Sequence, residues 1–196
     1  MYKFEHDWFG RNIGNLETIF RSYQGTEPPK ILEIGAFEGR STVWFFDNLP
    51  GCKVTTMDTW QGGKEHLPTN RAINFTRVKN NFYHNTEKFK DRLEVFESTS
   101  FEALMKLIIR GEDFDFVYID GSHEAIDVNL DLVLSFKLLK TPSVIYCDDY
   151  YWGFNEMSIY DTPKLGIDSF VNVYGNKLMP IIELSSIAAV YMKVAK

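Results

Sequence analysis

The stretch Ile31-Leu32-Glu33-Ile34-Gly35-Ala36-Phe37-Glu38-Gly39-Arg40-Ser41-Thr42 decides how this chain is read. A short run that suits a buried strand enters a loop with two glycines. The hydroxyls of Ser41 and Thr42 then open an apolar segment, Val43-Trp44-Phe45-Phe46, that suits a helix. Strand, glycine loop and helix in that order read as the first unit of a nucleotide-binding α/β domain. Glycine lets a ligand approach such a turn closely, because it accepts positive φ and has no side chain in the way. The dinucleotide fingerprint G-x-G-x-x-G, begun at Gly35, would need glycines where Phe37 and Arg40 stand, so a nicotinamide cofactor is disfavoured. The same residues also suit a plain tight strand-to-helix turn.

Outward from that stretch, helical and strand patterns alternate. Trp8 to Tyr23 carries Trp8, Ile13, Leu16, Ile19 and Phe20 at helical spacing, ends before Gly25 and Pro28-Pro29, and is expected to pack over the sheet edge or near the ligand mouth. The helix after the glycine loop runs to about Asn48, and Pro50-Gly51 turns the chain into a second strand, Lys53 to Met57. That strand ends in Asp58, where an acid can accept hydrogen bonds from ribose hydroxyls; a turn or helix cap is the other reading. Thr59 to Lys90 holds Trp60, Gly62-Gly63, His66 and Pro68, then a helix around Phe75, Val78 and Phe82. It is longer than a plain crossover needs, and part of it is expected to fold over the ligand. The third strand, Leu93 to Phe96, leads through Ser98, Thr99 and Ser100 into a helix with Phe101, Leu104, Met105 and Ile108 on one face. Those hydroxyls suit an adenine edge, and Ser100 suits a helix N-cap equally well.

Phe114 to Ile119 is nearly continuous in apolar residues, as a strand buried on both faces should be, and ends in Asp120-Gly121-Ser122-His123. The next helix places Ala125, Val128, Leu132, Phe136 and Leu139 on one stripe. Pro142 is expected to stop it before a fifth strand, Ser143 to Cys147, ending in Asp148-Asp149-Tyr150-Tyr151-Trp152. A connection from Tyr150 to Gly166 and a short helix, Ile167 to Tyr174, precede two strands, Leu178 to Leu184 and Ala188 to Val194. So few residues join these strands that they must pair as an antiparallel hairpin. The expected fold is α/β: a doubly wound, Rossmann-like sheet, mostly parallel, closed by a C-terminal antiparallel hairpin. One domain is expected over 1–196, with 1–29 an N-terminal helical segment and 150–166 a substrate-site loop.

Composition narrows the partners. A net charge of -6 opposes binding to phosphate backbones, so nucleic acid is a poor first guess for the substrate. No apolar run is long enough to span a bilayer, the first residues have no apolar leader pattern, and Cys52 and Cys147 form no metal or redox motif. The expectation is a reduced, cytoplasmic protein with no membrane partner; a homo-oligomer is compatible with the sequence.

Glu33, Asp58, Asp120, Asp148 and Asp149 all fall at strand ends, beyond which the ligand crevice of an open α/β sheet lies. Carboxylates gathered there repel one another unless cations or donors sit among them. If the fourth and fifth strands are neighbours, their tips lie about 5 Å apart, so Asp120, Asp148 and Asp149 could hold one hard cation, magnesium being the natural candidate. Loop capping is the competing use for the same acids. His123 taken alone suits a loop donor or a helix N-terminal residue.

The string E-x-G-x-x-x-G at Glu33 resembles the first motif of class I S-adenosylmethionine (SAM)-dependent methyltransferases, whose acid lies near the methionine part of the cofactor. Phe-Asp-Phe-Val-Tyr-Ile-Asp-Gly-Ser-His, the later Asp-Asp-Tyr-Tyr-Trp and the earlier Asp-Thr-Trp-Gln-Gly-Gly-Lys-Glu-His look like the D-G-x-H and D-D-Y type of that family. This type is related to sugar and macrolide O-methyltransferases and more distantly to catechol-type enzymes. The resemblance runs from about Ile31 to Trp152, and a parallel sheet closed by a C-terminal hairpin is also the family's arrangement. It implies a SAM site built from Glu33, Gly35, Ala36, Phe37, Gly39, Ser41 and Thr42, from Asp58, Thr59 and Trp60, from Ser98, Thr99 and Ser100, and from Asp120, Gly121 and His123. It further implies magnesium on Asp120, Asp148 and Asp149, His123 as the base with Asp120 beside it, and a small hydroxylated acceptor such as a sugar or natural-product metabolite. Tyr150, Tyr151 and Trp152 either line the acceptor site or pack under the hairpin. Thr141-Pro142-Ser143 stands where relatives have Gly-Gly, and the chain is short for one with a large acceptor-binding addition. A SAM-binding module without turnover, acting as a partner subunit, is the alternative from another class.

Overall fold

The structure, a computed structural model, describes residues 1–21, 27–63, 73–182 and 187–196. Among them, β1 (Lys30–Ile34), β2 (Lys53–Met57), β3 (Leu93–Phe96), β4 (Phe114–Ile119), β5 (Leu139–Asp148), β6 (Leu178–Ile182) and β7 (Ala188–Lys193) form one sheet in the order β3-β2-β1-β4-β5-β7-β6. The first five run parallel, while β7 lies antiparallel between β5 and β6. The helices are α1 (Ile13–Arg21), α2 (Arg40–Asn48), α3 (Phe75–Thr86), α4 (Ser100–Arg110), α5 (Ala125–Leu138) and α6 (Pro163–Tyr174).

Side chains alternate across a strand, so β1 and β4 feed two cores. Leu32, Ile34, Val117 and Ile119 pack with Leu104, Leu107, Leu132 and Phe170 on one face. Ile31, Phe116 and Tyr118 pack with Leu16, Ile19, Phe45 and Phe46 on the other. A sheet covered on both faces explains why β4 reads as a continuous apolar run. Strand order reverses at β1 and β4, and ligands of open α/β sheets bind beyond the carboxyl ends at such a switch point. Register places the ends of β4, β1 and β2 side by side: Asp120 N donates to Ile34 O at 2.8 Å, and Gly35 N donates to Met57 O at 3.0 Å.

Boundaries differ where tertiary contacts outweigh local pattern. Pro142 lies within β5 instead of stopping a helix, because α5 has already ended at Leu138 and Leu139 pairs with Phe114. The buried Lys193 of β7 fixes that change, since its Nζ donates to Phe136 O and Leu139 O, both at 2.7 Å, and satisfies carbonyls left at the helix end. Helix α6 begins earlier than Ile167, with Pro163 in its first turn. Trp8 precedes the first helix; a 3-10 turn, Gly10–Asn12, leads into α1. Residues 22–26 of the expected first helix, 64–72 of the long crossover with His66 and Pro68, and 183–186 at the hairpin lie outside the described residues. No described helix is long and apolar enough to cross a membrane.

Candidate active site

A cavity of about 1020 Å³ opens beyond the carboxyl ends of the strands. It draws Gly35 and Phe37 from the glycine loop, Asp58, Thr59 and Trp60 from the end of β2, and Ser98, Thr99 and Ser100 from the end of β3. Asp120, Gly121 and His123 follow β4, and Asp149 and Trp152 follow β5. These residues, named from the sequence, all line this cavity. Glu33, Ala36, Gly39, Ser41, Thr42 and Asp148 do not line it.

The glycine loop is held by its own chain. Gly35 has φ +91°, and a Cβ built there would lie 1.9 Å from Asp120 O, so β1 and β4 meet through a residue that has none. Asp58 Oδ2 accepts from Ala36 N at 3.0 Å and Phe37 N at 2.8 Å, and its Oδ1 accepts from Trp60 N at 2.7 Å. Trp60 Nε1 returns a bond to Phe37 O at 2.9 Å. Asp58 therefore shapes the loop as well as facing the cavity. Phe37 and Trp60 sit at φ 46° and 49°, a left-handed backbone that these bonds hold in place. Ala36 contributes its backbone N–H, and Gly39, at φ 78°, caps α2.

Glu33 points away from the cavity. Its fully buried carboxyl accepts from Ser41 Oγ at 2.5 Å and Thr42 Oγ1 at 2.6 Å, tying β1 to the first turn of α2. These three residues do not reach a cavity ligand because each spends its polar atoms on the others. Burial pushes Glu33 up to about 7, against the lowering pull of the hydroxyls. A carboxyl that holds its proton more tightly when folded contributes stability that is full below about pH 4.5 and lost as pH rises through about 7. That group alone accounts for a fall of about 3 kcal/mol. Glu33→Gln should flatten the fall. Urea unfolding at about pH 5 and about pH 8 measures it, and a pH difference as large in the variant as in wild type would refute the assignment. Asp131 of α5, on the cavity wall and also pushed by burial to about 7, leaves a parallel contribution in both proteins.

At the β4 and β5 ends the acids divide their roles. Asp148 turns inward, accepting from Asn12 Nδ2, from Tyr118 OH at 2.7 Å and from Asp149 N at 2.8 Å. Burial and the neighbouring Asp149 push it up to about 6. Asp120 is raised well above the usual carboxylate range by burial first, then by Asp148 and Asp149. Asp149 is different: burial would raise it, but the His123 hydrogen bond and the Arg11 charge outweigh burial and hold it low. His123 Nε2 lies 3.3 Å from Asp149 Oδ2, and its ring stacks on Trp152 at 4.1 Å. Asp120, His123 and Asp149 each offer one ligand atom, all within 4.8 Å of one another. The group that converges is thus two aspartates and a histidine, not the three aspartates expected, because Asn12 and Tyr118 hold Asp148 inside. Of the three aromatics after β5, Trp152 lines the cavity, while Tyr150 is buried with its hydroxyl on Asp168 at 2.6 Å.

The N-terminal segment supplies Trp8, which the sequence pattern put in a helix, and Arg11, which no sequence pattern singled out. Trp8 stacks on Phe37 at 4.8 Å, and Arg11 pairs with Asp149 and lies 3.7 Å from Asp148. Buried Glu38 positions this segment, accepting from Glu5 N at 2.9 Å, His6 N at 3.1 Å and Asn81 Nδ2 at 2.8 Å. An acid inside a tight glycine loop was the available signal, since a buried carboxylate must find donors.

Residues 32–150 match the family model described as a methyltransferase domain. Among curated proteins, none matches the sequence significantly. The O-methyltransferase from Bacillus cereus, in complex with S-adenosylhomocysteine, superposes with a TM-score of 0.68 at 21% identity over 98% of this chain and 84% of that one. A protein from Clostridium thermocellum proposed to be an rRNA methylase gives a TM-score of 0.67 at 14% identity over 94% and 97%. MycE, from mycinamycin biosynthesis and bound to Mg, S-adenosylhomocysteine and mycinamycin VI, gives 0.61 at 17% identity; this chain, 98% covered, spans 51% of its length. The sheet order, the switch-point cavity and the span of the family match agree: the chain belongs to the methyltransferase-domain family of class I SAM-dependent methyltransferases.

Proposed function

We propose that this chain transfers a methyl group from SAM to a hydroxyl of a small molecule such as a sugar or natural-product metabolite. The observation that carries the reading is one cavity joining two parts: a glycine loop shaped by Asp58, and the His123–Asp149 pair beyond β4 and β5. When bound, the cofactor supplies an electrophilic methyl on a sulfonium. Methyl transfer is an in-line displacement, so the protein's main contribution is alignment. Gly35 lets the ends of β1 and β4 close together beside the cavity, Phe37 and Trp8 stack along its lining, and Asp58 fixes the glycine loop. Asp149 orients His123 through Nε2, and the imidazole takes the acceptor proton as the oxygen attacks. The acidic net charge favours a small acceptor over RNA, although an rRNA methylase assignment exists for one protein of this fold.

A second, metal-assisted route has its own support in the convergence of Asp120, His123 and Asp149 and in the Mg reported with MycE. In that route Asp120, His123 and Asp149 would hold the ion, and the chemistry it would supply is a lowered pKa of the acceptor hydroxyl. A SAM-binding module without turnover is distinguished by assay, since it binds cofactor and methylates nothing.

Calorimetric titration with S-adenosylhomocysteine, with NADH as control and each with and without magnesium, tests the cofactor. S-adenosylhomocysteine should bind and NADH should not. Asp58→Ala should weaken the affinity by about tenfold or more, as loop order is lost together with a polar group on the cavity wall. Absence of S-adenosylhomocysteine binding in both conditions overturns the reading. A panel of hydroxylated acceptors with an RNA fragment then tests the acceptor class.

A further inference from the structure

The acid cluster behind the cavity meets a cation from its own chain. Arg11 stands in the 3-10 turn Gly10–Asn12, lines the cavity, and reaches Asp149 Oδ1 with Nη2 while lying 3.7 Å from Asp148 Oδ1. Its place is set by the next residue. Asn12 is fully buried, donates to Tyr118 OH at 3.0 Å and to Asp148 Oδ2, and accepts from Tyr146 OH at 2.8 Å. The segment before it is tied down as well, by Glu38 at residues 5 and 6 and by Arg40 Nε on His6 O at 3.0 Å. A side chain anchored on both flanks is delivered to the cluster by the fold.

We propose that Arg11 is the resident cation of this cluster and that it competes with a divalent ion for Asp149. The reasoning is electrostatic and geometric. An ion held by Asp120, His123 and Asp149 would share the Asp149 carboxylate with a guanidinium already bonded to it, and two cations on one carboxylate repel each other. Asp149 is already paired with a fixed positive charge, so the attraction that would draw magnesium out of its hydration shell is reduced. Arginine suits this use, because its guanidinium stays charged and takes carboxylates in a fixed fork. The consequence rests on the methyltransferase reading only in naming the chemistry: the metal-free route, with Asp149 orienting His123, is the working one, and bound metal marks a state in which Arg11 has left.

Manganese, read by electron paramagnetic resonance of the free ion, is the probe, and the measurement needs neither cofactor nor acceptor. Wild-type protein should bind Mn²⁺ only weakly, in the millimolar range, and Arg11→Gln should bind it about tenfold more tightly or better. Arg11→Lys, which keeps the charge, should bind no more tightly than wild type. Adding Asp149→Asn to Arg11→Gln should abolish the gain. Micromolar binding by wild type overturns the proposal without any variant, as does a gain that survives the loss of Asp149 or no gain in a folded Arg11→Gln. Failure of S-adenosylhomocysteine to bind would remove the methyltransferase reading and leave this result standing.

Discussion

Gly35→Ala should weaken cofactor binding severely and cost the fold more than any other single methyl added in the glycine loop. The residue sits at φ +91°, where a side chain is strained, and the added Cβ would lie 1.9 Å from Asp120 O and 2.6 Å from Asp120 C. Both are backbone atoms at the end of β4, held by the Asp120 N to Ile34 O bond, so neither can move aside without opening the β1–β4 junction. The expected loss is about 3 kcal/mol or more, which lowers the melting temperature by roughly 10 °C for a chain of this size. S-adenosylhomocysteine affinity should fall by about 100-fold or more, since the displaced backbone forms the cavity floor. Gly111→Ala is the internal control. It has a comparable φ of +69° at the end of α4 but nothing within 4 Å, so it should cost about 1 kcal/mol and leave binding unchanged. Calorimetry and thermal melts on the pair decide the matter. A Gly35→Ala protein that melts within a few degrees of wild type and binds S-adenosylhomocysteine normally would show that the β1–β4 contact is not needed.

The same contact explains what the sequence could and could not disclose. A glycine loop between an apolar strand and a helix, repeated strand-end acids and a closely joined terminal pair are local patterns, and they suffice for a doubly wound sheet with a hairpin. That Asp58, Asp120 and His123 gather at one cavity follows from that topology alone. Side-chain direction does not. Nothing local says that Glu33 turns to Ser41 and Thr42 while Asp58, another acid at a strand end, faces the cavity. Nor could adjacent Asp148 and Asp149 be separated by pattern. Their divergence comes from Asn12 and Tyr118 reaching one of them across the fold and from a left-handed backbone, φ 56°, at the other. Boundaries moved for the same reason, as when Lys193, far along the chain, ends α5 ahead of Pro142. Arg11 was hidden most deeply, because its contacts depend on the whole N-terminal segment lying along the glycine loop.

Asp149→Asn isolates the charge of the second of those acids. Asparagine tolerates positive φ better than other uncharged side chains, so the backbone at φ 56° should persist, and its carbonyl oxygen can still accept from Arg11. What disappears is the anion that faces His123 Nε2 at 3.3 Å. Asp149 is held below the ordinary carboxylate range and is therefore ionised throughout the neutral region, available to stabilise the imidazolium that forms when His123 takes a proton. Without it, kcat should fall by roughly 10²–10⁴-fold, the range for lost acid–base assistance. Affinity for S-adenosylhomocysteine should stay within about threefold, because the glycine loop and Asp58 are untouched. A purely structural role would move both quantities together and depress the melting temperature. Single-turnover rates measured beside cofactor affinity separate the two cases, and an Asp149→Asn enzyme that methylates its acceptor at the wild-type rate would remove the His123–Asp149 pair from the chemistry.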